Sequence, residues 1–159
     1  MLTILAARGY RAVDLDDPGW SFEQVGPDGD LEQLWDEDRV SALLAEPITT
    51  PLVISGCAGN QGRFYDRLDA VLLLDVPEQV MLERIDGRTG NDFGKDPAER
   101  ARILADTATV LPLLRRTSTA VIDATQPRAA VADAVEVHLR VCARTGEGPR
   151  GWGAVARAF

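Results

Sequence analysis

The chain has 159 residues, 45% of them hydrophobic, which suits one globular domain with a single core. Acidic residues outnumber basic ones by 25 to 17, and the resulting formal charge of −8 argues against a nucleic-acid or anionic-membrane surface as the main partner. No stretch approaches the length of a membrane span and no charged-then-apolar leader opens the chain, so the sequence predicts a cytoplasmic location.

Taken in chain order, Met1 to Gly9 reads as the body and end of a helix with no N-cap residue before it. Apolar runs bounded by turn signals then occur at Ala12 to Leu15, Leu52 to Ser55, Ala70 to Val76 and Thr119 to Ile122, each short and rich in Val, Leu and Ile as buried parallel strands are. Between them, helical spacing covers Leu31 to Leu44, Glu78 to Gly87, Pro97 to Arg115 and Arg128 to Ala143. Strands alternating with helices predict an α/β fold built on a parallel sheet. Asp28-Gly29-Asp30 reads as a turn, and Gln126-Pro127-Arg128 as the entry to the last helix. Residues 1–145 are expected to form the domain, and residues 146–159, with Gly146, Gly148, Pro149, Gly151 and Gly153, a loose tail that docks through Trp152 and Phe159. Cys57 and Cys142 fit no metal or redox spacing and are expected to be reduced. His138, the only histidine, has no ligating neighbours at metal spacing and is assigned to packing or surface.

Three clusters carry chemistry. Asp14, Asp16 and Asp17 close the first strand at its carboxyl end, where ligands bind in open parallel sheets. Period-two alternation puts Asp14 and Asp16 on one face, which suits a magnesium-associated carboxylate and a hydroxyl-activating base; the same residues also suit an Asp-rich turn before Pro18. Ser55-Gly56-Cys57-Ala58-Gly59-Asn60-Gln61-Gly62-Arg63 follows a buried strand, and its small residues let backbone amides approach a ligand while Arg63 offers a planar cation. The glycine spacing is not a dinucleotide fingerprint, and a tight turn with no ligand remains the alternative. In the third cluster, Arg84 and Arg88 are four apart at a helix end, where two guanidinium groups can stabilise a transferring phosphoryl group. The Gly- and Asn-rich stretch 86–97 reads as a mobile lid or as a solvated charged loop. Gly94-Lys95, which contains the only lysine, fails the Gly-x4-Gly-Lys-Ser/Thr pattern at both ends.

In this order, Val13-Asp14-Leu15-Asp16, Gly56-Cys57-Ala58-Gly59, Val71-Leu72-Leu73-Leu74-Asp75-Val76-Pro77 with Glu83-Arg84, the Arg88 lid and Val121-Ile122-Asp123-Ala124-Thr125-Gln126-Pro127 resemble the P-loop small-molecule and nucleotide kinases. These are of the shikimate kinase and adenylate kinase type, often labelled generic AAA-family ATPases. The resemblance covers most of the chain and implies a three-layer α/β/α fold with ATP and Mg2+ as cofactors. It also implies a small metabolite or nucleotide as phosphoryl acceptor. By the same resemblance Asp16, Arg84 and Arg88 are candidate catalytic residues and Asp14 the candidate metal ligand. Asp14, Trp20, Gly56, Gly59 and Arg63 become candidate substrate contacts, and Arg84, Arg88, Thr125, Gln126 and Pro127 candidate ATP contacts. Trp20 and Phe22 lie where such kinases close over the acceptor; Trp35 suits the ordinary core.

The family's Walker A loop and its first strand, which lies between the strands assigned to 52–55 and 70–76, find no counterpart at the start of the chain. A vacant central position would expose two inner sheet edges. The expectation is that the remaining strands close up, that a partner or second copy fills the gap, or that the chain starts downstream of its natural beginning, the last being favoured. The function expected is accordingly that of an N-terminally truncated ATP-dependent phosphotransferase; the alternative is a non-catalytic remnant or small-molecule binding module of the same fold.

Overall fold

The computed structural model describes residues 1–27, 29–47, 49–90, 92–145 and 153–157, with side chains described as far as residue 141. The chain is mixed α/β. Helix α1 (Leu2–Ala7) leads into strand β1 (Arg11–Asp14), an antiparallel hairpin of β2 (Ser21–Val25) and β3 (Leu31–Trp35), helix α2 (Glu37–Ala45) and β4 (Leu52–Ser55). A 3-10 segment, Gln61–Arg67, precedes β5 (Ala70–Asp75), followed by α3 (Glu78–Gly87), α4 (Pro97–Thr117), β6 (Ala120–Asp123), α5 (Arg128–Thr145) and β7 (Gly153–Arg157).

Five strands form one parallel sheet in the order β1-β4-β7-β5-β6. Alternation along the strands sends side chains to two cores. Val53, Ala70, Leu72, Leu74 and Ile122 join Leu5 of α1 and Val131, Val135 and Leu139 of α5 on one face. Leu52, Ile54 and Val71 join Leu15, Trp35, Val40 and Leu43 of α2, and Phe64 of the 3-10 segment, on the other. Ala70 to Leu74 are all buried, as a continuous apolar strand covered on both faces requires. Local signals set the helix starts. Asp36 caps α2 by accepting from the Arg39 amide at 3.0 Å, and Asp96 caps α4 by accepting from the Ala98 amide at 2.8 Å, with Pro97 in the first turn.

Three expectations are corrected here. Residues 31–35 form β3, not the first turn of a helix; Leu31, Leu34 and Trp35 have helical spacing, but the segment pairs with β2, Ser21 facing Trp35 and Val25 facing Leu31. The central position of the sheet is filled: Gly153 to Ala156 pair with Leu52 to Ser55 on one side, and Ala154 to Arg157 with Ala70 to Leu73 on the other. The stretch 153–157 is therefore a central strand and not part of a loose tail, because two parallel ladders satisfy its backbone where the tail reading left it to water. Both inner edges are paired by the chain itself, so the open edges on which a homo-oligomer was made conditional are not present among the described strands. The docking assigned to Trp152 and Phe159 and the state of Cys142 fall outside the described residues and side chains. Among the described residues no helix is long and apolar enough to cross a membrane.

Candidate functional site

The carboxyl ends of the five parallel strands share one rim, with β7 ending between the loop after β4 and the end of β5. The chain passes from β4 to β5 across the β7 position and returns to it only after β6.

On the β1 side, Asp14 ends its strand and its carboxylate folds back to accept the Asp16 amide at 3.2 Å. Burial pushes the Asp14 carboxyl above its ordinary pKa; the Asp16 amide pulls it partly back and the Asp17 carboxylate adds to the rise. Asp16 is exposed in the following turn, where its Oδ1 accepts long hydrogen bonds from Gln33 Nε2 and from the Cys57 amide, both at 3.4 Å. Gly56 is buried beside it with a φ of +149°, a backbone conformation that a side chain disfavours. A Cβ on Gly56 would lie 2.9 Å from Asp16 Oδ1, 3.3 Å from the Leu15 Cβ and 3.4 Å from Trp35 Nε1.

The hairpin is stitched down over this loop. Gly59 donates its amide to the Gln33 carbonyl at 2.9 Å, and Asn60 pairs with the Trp35 backbone in both directions, each bond 2.9 Å. The Glu32 carboxylate lies against Gly59, in the space that a Cβ would take. Trp35 is fully buried against Phe64, as its core assignment requires, yet its indole Nε1 has no hydrogen-bond partner. An unsatisfied buried donor costs on the order of 1–3 kcal/mol, so this one marks the loop for attention.

The other candidate residues are placed as follows. Arg63 is exposed and paired with Glu37 at 2.6 Å, on the outside of the Asn60 junction. Trp20 offers its ring to Arg39, whose guanidinium carbon sits 4.8 Å from the ring centroid while its Nη1 bonds the Gly19 carbonyl. At the opposite end of the rim, Arg84 donates to the Ala124 carbonyl at 2.6 Å, one residue before Thr125. Thr125 is engaged by Asp123, which accepts its amide at 2.9 Å and its hydroxyl at 2.6 Å, while Gln126 Nε2 reaches the second carboxylate oxygen at 3.3 Å. Those bonds hold the Asp123 carboxyl below its ordinary pKa. Thr125, Gln126 and Pro127 are all exposed at the start of α5. Arg88 donates to the Phe93 carbonyl inside the 86–97 stretch, and Lys95 pairs with Asp92 at 2.8 Å.

The structure thus gathers Asp14, Asp16, Gly56 and Gly59 into one group under the hairpin, and Arg84 with Thr125 to Pro127 into a second. Gln33, Asn60 and the polar end of Trp35 belong to the first group and were not singled out from the sequence. The missed signal is the hairpin: reading 31–44 as one helix hides that Gln33 and Trp35 lie two residues apart on a strand. Compared with protein-family models, with curated proteins and with solved structures, the chain matches none.

Proposed function

We propose that this chain is a phosphotransferase-type domain of the P-loop small-molecule and nucleotide kinase kind, in which the β1–β4 end of the rim takes the acceptor and the β6 end the adenine of ATP. The observation that carries this reading is the strand order. With β4 and β5 flanking a central strand, Asp14 and Asp16, the Gly56 loop, Arg84 and the Thr125 loop all emerge on one carboxyl rim. A kinase of this kind also gathers acceptor and nucleotide loops on one carboxyl rim, although its central strand is the first of the chain and here it is β7.

In this reading Asp16 orients the acceptor hydroxyl and takes its proton, since it is the exposed carboxylate held by Gln33 and the Cys57 amide. Asp14 fits Mg2+ as a single carboxylate. Among the described residues no cluster of three ligating side chains forms, so the rest of the shell would be water and phosphate oxygens, as is usual for this ion. Bound there, the ion would neutralise charge on the transferred group. The residues present do not fit the ATP phosphates. The sequence has no Gly-x4-Gly-Lys-Ser/Thr loop and its only lysine is held by Asp92, so no transfer step is assigned to these residues.

That same misfit favours a second reading, a small-molecule binding module of this fold without ATP turnover. Thermal melting with and without Mg-ATP separates the two. A magnesium-dependent rise in Tm that saturates with ATP supports the phosphotransferase reading; an unchanged, cooperative transition leaves the binding module. In a sample that turns over ATP, Asp16→Asn is expected to lower the rate by at least about 100-fold while melting stays nearly constant. Equal loss of rate and stability rejects Asp16 as the base.

A further inference from the structure

We propose that the cleft between α3 and α4 is a binding site for a small primary amine, its ammonium group held at the carboxyl end of β5 and its apolar body laid on Met81 and Leu111. The cleft has a volume of about 330 Å3, within the range of small-molecule sites. It shares no residue with either group on the rim, so the proposal goes beyond the phosphotransferase reading and does not depend on it. The cleft exists because α4 stands off its neighbours. Of the 21 residues of that helix only Leu114 is buried, and Leu111, Pro112 and Arg115 line the gap that faces Met81 of α3.

The hydrogen-bonding capacity of the lining is one-sided. Arg115 spends its Nε and Nη2 on a single oxygen, Asp75 Oδ2, at 3.2 and 2.7 Å, and Asp75 Oδ1 has no partner among the described residues. The carboxylate of Glu78, the first residue of α3, has none among them either. A third acceptor comes from the backbone. Pro112 inside α4 has no N–H, so the carbonyl of Ala108, four residues earlier and also in the lining, loses its helical partner. Thr107 offers no spare proton, since its hydroxyl donates to the Ile103 carbonyl at 2.7 Å. Asp75 and Glu78 against Arg115 leave one negative charge unbalanced. An ammonium group brings three donors and the missing positive charge. A carboxylate would add acceptors where they are already in excess, and a hydroxyl would bring a single donor and no charge.

The test uses the full chain labelled with 13C at the methionine methyls, which gives two resonances, Met1 and Met81, the second identified by Met81→Leu. The probes are 2-phenylethylamine and its neutral and anionic counterparts, 2-phenylethanol and 3-phenylpropanoate, whose rings shift the resonance of a methyl they touch. The expected result is a saturable shift of the Met81 methyl by the amine while Met1 stays in place, with an affinity at least about threefold above that of either counterpart, the scale of one exposed charge pair. Glu78→Gln, an exposed change, should weaken the amine by about the same factor and leave the alcohol unaffected. Pro112→Ala returns an N–H to the Ala108 carbonyl and should raise Tm while weakening the amine, whereas a merely structural proline would move Tm alone. A Met81 methyl unmoved by the amine at its solubility limit, equal affinity for all three probes, or amine binding unchanged in both variants overturns the proposal. Tighter binding of Nα-acetyl-lysine methylamide than of 2-phenylethylamine also overturns it, by assigning the cleft to the lysine of a partner polypeptide. The Mg-ATP melting titration decides the phosphotransferase reading whichever way these outcomes fall.

Discussion

Asp14 and Asp123 occupy equivalent places at opposite edges of the sheet. Each is the last residue of an outer parallel strand, and each turns its carboxylate back onto the amide two residues ahead. Their surroundings push them in opposite directions. Asp123 collects an amide, a hydroxyl and a side-chain amide and is stabilised as an anion; Asp14 has one long amide bond, burial and a like charge from Asp17, and its anion is disfavoured. The first carboxylate builds the turn into α5. The second weakens the fold in its charged form, and a residue that lowers stability where an amide would serve is a candidate for function.

The change expected to break this comparison outright is deletion of residues 153–159, which takes away the ladders joining the β1–β4 pair to the β5–β6 pair. Loss of a cooperative thermal transition is expected; a sharp melt near that of the full chain would mean that the two edges do not depend on β7. Next in size, Gly56→Ala should cost about 2 kcal/mol, because φ = +149° suits glycine alone and the new methyl meets Asp16, Leu15 and Trp35. Denaturant titration measures this, and a loss near zero would mean that the loop relaxes freely.

The two aspartates sharpen the comparison by the sign of smaller effects. Asp123→Ala should lower Tm at neutral pH. Its folded pKa lies below the ordinary value of 3.8, so the stabilisation it supplies is present above that pH and fades as pH falls through the lowered value. Asp14→Asn should do the reverse and raise Tm slightly. With a folded pKa above 3.8, the wild-type penalty is absent at lower pH, grows as pH rises through the window between the two values and is constant beyond it. The advantage of the variant should therefore vanish in acid. Melting curves for both variants from about pH 3 to 7 suffice, and a destabilised Asp14→Asn at neutral pH would remove the contrast.

Much of the sheet was legible because its strands are of the easily recognised kind. Ala70 to Leu74 is an unbroken apolar run whose burial on both faces follows from composition alone, and Asp96-Pro97 announces α4 in two residues. The hairpin was hidden by coincidence: Leu31, Leu34 and Trp35 satisfy helical spacing, while the cross-strand partner that decides the matter lies ten residues or more away in sequence, at Ser21 and Phe22. β7 was hidden for a different reason. Gly153-Ala154-Val155-Ala156-Arg157 has small side chains and glycines on its N-terminal side, so nothing local favours a strand, and only two waiting edges make it one. The rim residues were found where acids and glycines follow a strand. That the Trp35 indole nitrogen lacks a partner could not be read, since a buried tryptophan looks the same in sequence whether or not its nitrogen is satisfied.

The position of β7 also has a meaning in time. Of the described strands it is the latest in the sequence and yet the middle one in space, so during synthesis the pairs β1–β4 and β5–β6 are complete before the segment that joins them has been translated. Until then β4 and β5 each present an unpaired edge, and the nascent chain resembles two half-sheets awaiting a seam. Closing that seam brings together residues about a hundred positions apart at Leu52 and Gly153, a contact that chain entropy makes slow to form. A chaperone or crowding partner would meet this protein in that open interval.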